Sequence, residues 1–139
     1  MKYLASFLLI GMVLFGSAQE QAAEEPMTGP KISFEEKSYN FGDITQGDRV
    51  TYVFEFENIG NEPLILSDVR TTCGCTAPEW PRDPVAPGAK ASLKVVFNSA
   101  GKMGMQNKVI TVMSNAVNNP ERVKITGNVL AKSPDGGGN

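Results

Sequence analysis

The sequence contains no histidine. That removes the commonest general base near neutral pH and the commonest metal ligand. Neither a Ser-His or Cys-His nucleophile pair nor an HExxH zinc site can form within the chain. Cysteine is confined to Cys73 and Cys75. They are too close together for the inter-sheet bridge of antibody domains and too few for a closed zinc site. Basic runs are missing: 13 Lys and Arg stand against 15 Asp and Glu, a formal net charge of -2. A phosphate backbone demands a clustered basic face, so nucleic acid is not expected as a partner. Paired carboxylates, calcium-loop spacing and glycine-rich phosphate loops do not occur either. Glu55 and Glu57 fit a solvated strand face. No cofactor is implied and no enzymatic activity is expected.

What is present starts with a leader. Met1 and Lys2 are followed by an uncharged, mostly apolar run from Tyr3 to Phe15 and then by Gly16-Ser17-Ala18. This is the order of a signal peptide, with small residues where a signal peptidase cuts. The apolar run of about 13 residues is short of the roughly 20 that span a bilayer as a helix. Cleavage is expected after Ala18, with Ala22 or Ala23 as the alternative, leaving no membrane span and a periplasmic or extracellular protein. Residues 19–30 are polar and read as a flexible lead-in. Residues 132–139, KSPDGGGN, have nothing to bury and read as a disordered tail. The folded unit is expected over residues 31–131, the size of one immunoglobulin-like sandwich.

Within that unit the apolar residues recur every second position. Val50, Tyr52, Phe54 and Phe56 fall on one face of a strand, with Thr51, Glu55 and Glu57 on the other. Turn chemistry follows over Asn58 to Pro63. Further strands are expected over Leu64 to Val69, over Ala91 to Asn98 with Leu93, Val95 and Phe97 inward, and over Asn107 to Met113. The last covers Arg122 to Leu130, with Val123, Ile125 and Val129 on one face. Upstream, Ile32 to Glu36 and Tyr39 to Ile44 give one or two short strands broken near Lys37 and Ser38. Helical periodicity is missing. The spacing predicts an all-β, immunoglobulin-like sandwich of about seven antiparallel strands. Open sheet edges could accept a partner strand or be guarded by charges such as Lys94 and Lys108.

Several segments together carry a resemblance: Phe41-Gly42-Asp43-Ile44, Gly47 to Asn58, Gly60 to Leu64, Thr72-Cys73-Gly74-Cys75-Thr76, Pro87-Gly88, Val96 to Lys102 and Gly127-Asn128-Val129. They resemble the bacterial domain-of-unknown-function family 1573 over nearly all of the expected domain. The resemblance implies an immunoglobulin-like fold related to Hydin-like and sperm-protein-like domains, which are mostly interaction or scaffolding modules. It also implies a signal peptide and bacterial origin. It supplies no activity, ligand or catalytic residue, and fold kinship alone does not fix function.

In that family the Cys-Gly-Cys element recurs. Three readings of Cys73 and Cys75 stay open. Export and an even count favour a local disulfide. In extended chain, residues two apart lie about 7 Å between Cα atoms, the outer limit for bridging. Gly74 would permit the necessary bend, and a strained bridge would be easily reduced, as redox disulfides are. Alternatively the two thiolates could hold Cu(I) with Met103 and Met105 as thioether partners, although two such methionines are also ordinary adaptable apolar side chains in a loop. The third reading is structural, two small buried side chains pinning a strand end.

Pro78, Pro81, Pro84 and Pro87 recur every third residue, the period of a polyproline II helix. Trp80 and Arg82 project from this stretch as a candidate partner-binding pair, Trp being a frequent interface anchor. The competing role is a rigid crossover between sheets, with Trp80 covering the core edge. Val85-Ala86-Pro87-Gly88 reads as a turn. The expected function is thus an exported, non-enzymatic binding or scaffold protein whose partner is another exported or envelope protein. The alternative is a thiol-disulfide or Cu(I)-handling protein using Cys73 and Cys75. Carbohydrate binding, common among exported sandwiches, has only Trp80 in its favour.

Overall fold

Alternation of side chains along short extended segments builds the whole molecule. A computed structural model describes residues 28–72, 74 and 76–133. The expected signal peptide, residues 19–27 of the lead-in and residues 134–139 of the tail lie outside these. The strands are β1 (Ile32–Phe34), β2 (Ser38–Thr45), β3 (Arg49–Asn58), β4 (Leu66–Thr71), β5 (Thr76–Glu79), β6 (Lys90–Asn98), β7 (Gly104–Ser114) and β8 (Glu121–Leu130). They form two four-stranded sheets, β1-β3-β6-β5 and β2-β8-β7-β4.

The inner faces are those that period two picks out. Phe54 and Phe56 of β3, Leu93, Val95 and Phe97 of β6, and Val123, Ile125 and Val129 of β8 are all buried, with Val50 and Tyr52 packed at the margin. Each large apolar side chain withdrawn from water contributes about 1.5–3 kcal/mol. Aromatic pairs tie the sheets together: Tyr39 stacks on Tyr52 with ring centroids 3.9 Å apart, and Phe41 on Phe97 at 5.5 Å.

Two features depart from expectation. First, β2 runs parallel to β8, from Ser38↔Lys124 to Thr45↔Leu130, whereas every other pairing is antiparallel. The chain leaves the first sheet after β1 and joins the second without turning back, so it keeps its direction. The Glu35 N–H donates to Glu55 O at the end of one sheet, and Lys37 O accepts from Lys124 N at the start of the other. The predicted break near Lys37 is this change of sheet. Second, part of the proline segment is a strand, β5, paired through Pro78↔Val95. The turn at Ala86–Ala89 has the expected chemistry: Ala89 N–H donates to Ala86 O at 3.0 Å, and Gly88 supplies the positive φ of 78° at the third position.

The packed chain reaches ahead of Lys31. Gly29 and Pro30 are buried. Gly29 N–H donates to Asn61 Oδ1 at 2.7 Å, and Pro30 O accepts from Val117 N. No helix among the described residues is long and apolar enough to cross a membrane.

Candidate functional site

Strand β3 is longer than the neighbour on its outer side, and this leaves backbone uncovered. On the β6 side its even-numbered residues are bonded, since Asn58 N–H donates to Ala89 O and Asp48 O accepts from Ser99 N in the register Val50↔Phe97, Tyr52↔Val95, Phe54↔Leu93. Odd-numbered residues therefore point away from β6. Glu55 O takes the Glu35 N–H and Ile59 N–H donates to Lys31 O, which uses the stretch that β1 covers. Beyond it, Arg49, Thr51 and Val53 direct their N–H and C=O groups to an edge that no described strand pairs with. Val53 is 41% exposed there.

Pairing is obstructed at the outer strands β5, β2 and β4, and on β1 the Asn118 side chain takes the N–H and C=O of Ile32. In β6, Val95 and Phe97 are bonded to β3, so Lys94 and Val96 bond to Glu79 and Ala77 of β5. Pro78 then faces outward, at the position where its missing N–H removes a donor from the open side. β2 is interrupted by a bulge between Asn40 and Asp43, where Gly42 adopts φ 71° and its N–H donates to Asn40 Oδ1. β4 carries a register shift between Leu66 and Asp68 and exposed charges. There the Arg70 guanidinium donates to the Asp68 carboxylate at 2.8 Å and, helped by Arg82, holds that carboxyl below its ordinary range. Lys94 and Lys108, expected as edge guards, lie instead on the interior strands β6 and β7. Period two identifies the outward face of a strand, not its place in the sheet order.

Cys73 and Cys75 lie outside the described residues. Gly74, between them, is exposed in a turn and lines a depression of about 420 Å3 with Arg49, Ala77, Asn98 and Lys102. The turn and the loop leading to Met103 thus border one depression. Met103 and Met105 are 61% and 79% exposed, with Met105 paired to Asn128 in β7. Among the described residues no group of three or more His, Cys, Asp or Glu is placed to hold a metal ion.

Trp80 packs against the core and is half-buried. The Arg82 guanidinium carbon lies 3.8 Å from the Trp80 ring centroid, covering it with a cation–π contact. The indole Nε1 is buried and meets no hydrogen-bond partner among the described residues. Trp80 and Arg82 are therefore brought together as a stacked pair, with the indole packed against the core. Arg49, Thr51 and Val53 were missed by pattern reading. The signal lay in length: the run at Ile32 is far shorter than the run at Val50 beside which it pairs.

Two sheets packed face to face, with the first strand switching from one sheet to the other, define an immunoglobulin-like β-sandwich of unknown function. The chain belongs to the family described as "Protein of unknown function (DUF1573)", matched over residues 32–129. No curated protein matches it by sequence. Among solved structures it is similar to a protein of unknown function from Porphyromonas gingivalis W83, at 17% identity and TM-score 0.64, covering 78% of this chain and 51% of that one. It is similar to PapD-like domain 7 of human CEP192, at 16% identity and TM-score 0.58, covering 78% and 94%. It is also similar to the secreted serine protease VesC from Vibrio cholerae, at 16% identity and TM-score 0.57, covering 75% of this chain but 24% of that one. The chain thus spans about half of the first and about a quarter of the last. At such identities the likeness is one of fold.

Proposed function

We propose that this chain is an exported, non-enzymatic binding or scaffold module of the bacterial envelope, acting by strand pairing along the Arg49–Val53 edge of β3. The observation that carries the reading is the contrast between edges. Three are blunted by a proline, a bulge or charge, while the run through Thr51 and Val53 keeps its donors and acceptors directed outward. An uncovered, regular edge is a template for a further strand. Export is supported by the leader over residues 1–18. A non-catalytic role is supported by the missing histidine and by a family whose fold neighbours include a PapD-like domain.

The test is to express the tagged full chain in a bacterium with a photo-crosslinking amino acid at Thr51, or at Ser67 on β4 as control. Fractionation and N-terminal sequencing follow. The expected result is an envelope protein beginning at Gln19 that forms a defined crosslinked product from Thr51 and none from Ser67. A cytoplasmic, uncleaved protein contradicts export. An equal yield from both positions contradicts the edge.

A further inference from the structure

We propose that the strand completing the β3 edge is β3 of a second copy of this chain, joined antiparallel about a two-fold axis at Thr51. This rests on the reading of that edge as the contact surface and names its occupant. The available slot is bounded on both sides. At one end Glu35 N–H already occupies the place opposite Glu55. At the other the chain leaves β3 at the turn where Asp48 N–H donates to Thr45 O. Only Arg49 to Val53 is open, so an occupant must turn away before the place that Glu35 holds, and β3 of another copy does so, because its own chain leaves the strand just before Arg49.

The register follows from the parity of the outward groups. In an antiparallel pair, residues whose N–H and C=O face the partner lie opposite one another. Placing Thr51 opposite the second Thr51 sets Arg49 opposite the second Val53 and Val53 opposite the second Arg49. No residue is then forced into the place that Glu35 holds, whereas centring on Tyr52 would put Arg49 there. Side chains on the joined outer face are complementary. Thr against Thr is a favourable cross-strand pair, and Arg49 lies diagonally across from the second copy's Glu55, within reach of long side chains. Both residues are exposed, and the Glu55 carboxylate accepts from the Ser92 hydroxyl at 3.0 Å. The contact is isologous, so the charge pair occurs twice, and pairing closes both edges without leaving a new one. A continuous sheet across two sandwiches results, in the order β5-β6-β3-β1 meeting its rotated equivalent at β3.

The test uses the exported full chain purified from the envelope. Sedimentation equilibrium or light scattering is expected to show a dimer at about 100 µM. Arg49→Glu and Glu55→Arg each bring like charges together twice and should weaken dimerisation about ten-fold, while the double exchange restores it to within about three-fold. Both positions are exposed, and unchanged circular dichroism checks that each of the three variants folds. Thr51→Cys places two thiols across the axis at the separation a disulfide accepts, about 5.5 Å between Cα atoms. It should give a reducible dimer that the unaltered chain and Ser67→Cys do not. A monomer at this concentration overturns the proposal, as does a dimer indifferent to the charge exchanges. If the chain is monomeric yet the photo-crosslinker at Thr51 captures a different exported protein, the second copy is excluded and the edge reading stands. If it is monomeric and Thr51 captures nothing, both fall.

Discussion

The ring of Phe41 lies so close to Gly127 that a Cβ built on the glycine would fall 2.1 Å from ring atom Cε2. Phe41 enters from the edge strand β2 at its bulge, stacks on Phe97 and covers β8 at its glycine. Gly127 is buried on the inward face, in line with Ile125 and Val129. Its role is space, since nothing about its backbone is left-handed.

Gly127→Ala should therefore overpack the interior and cost about 1–3 kcal/mol, read as a lower midpoint in urea. Phe41→Leu in the same chain should recover part of the loss, because the smaller side chain vacates the ring positions. Equal losses in the single and double variants would show that the strain comes from elsewhere.

Asn58 is wholly buried at the end of β3. Its Nδ2 donates to Glu62 O at 2.7 Å and Val85 O at 2.9 Å, and its Oδ1 accepts from Gly60 N–H at 3.0 Å and Lys31 N–H at 3.3 Å. One side chain thus fixes three separate backbone segments. Asn58→Ala strands these groups and should cost about 3 kcal/mol. Asn58→Asp should cost more, because it sets a carboxylate oxygen against two carbonyls and buries a charge. Chemical denaturation of both variants checks the order, and an aspartate variant as stable as the alanine one would contradict it.

How far these features were legible depends on the range of the interaction that creates them. β3, β6 and β8 could be read because aromatic and β-branched residues alternate along each strand, a property of the strand itself. β5 could not, since prolines three apart mimic a polyproline II segment. Pro78 is tolerated in a ladder only because the strand is an edge and its nitrogen faces out. The parallel pairing of β2 and β8 joins residues some 85 apart in the chain, from Ser38↔Lys124 onward, and no local pattern encodes it. Asn58 was read as turn chemistry, which is true of its position but silent about its four partners. The open edge at Thr51 and Val53 is a property of sheet order, so it emerged only when β1 was seen to stop at Phe34.

Pro78→Val tests whether that proline protects the β5 edge. The substitution adds an N–H on the outward side and removes no bond of the fold, because the missing donor faces away from β6. Stability should change by less than about 0.5 kcal/mol, while concentration-dependent association increases, seen as earlier turbidity on heating. A variant that unfolds more easily but does not associate would mean that Pro78 serves the fold alone.

Trp80 separates the two roles open to the proline segment. The ring packs on the core and beneath Arg82, while its N–H is buried with no partner among the described residues. A buried donor without an acceptor costs about 1–3 kcal/mol, so removing it offsets part of the packing lost when the indole shrinks to a phenyl ring. Trp80→Phe is therefore expected to stay within about 1 kcal/mol of the original chain, whereas Trp80→Ala, which uncovers the core, should lose about 3 kcal/mol. Both follow from urea unfolding monitored by circular dichroism. If the phenylalanine variant loses as much as the alanine variant, the indole N–H is serving an acceptor, and Trp80 is more than a cover over the core.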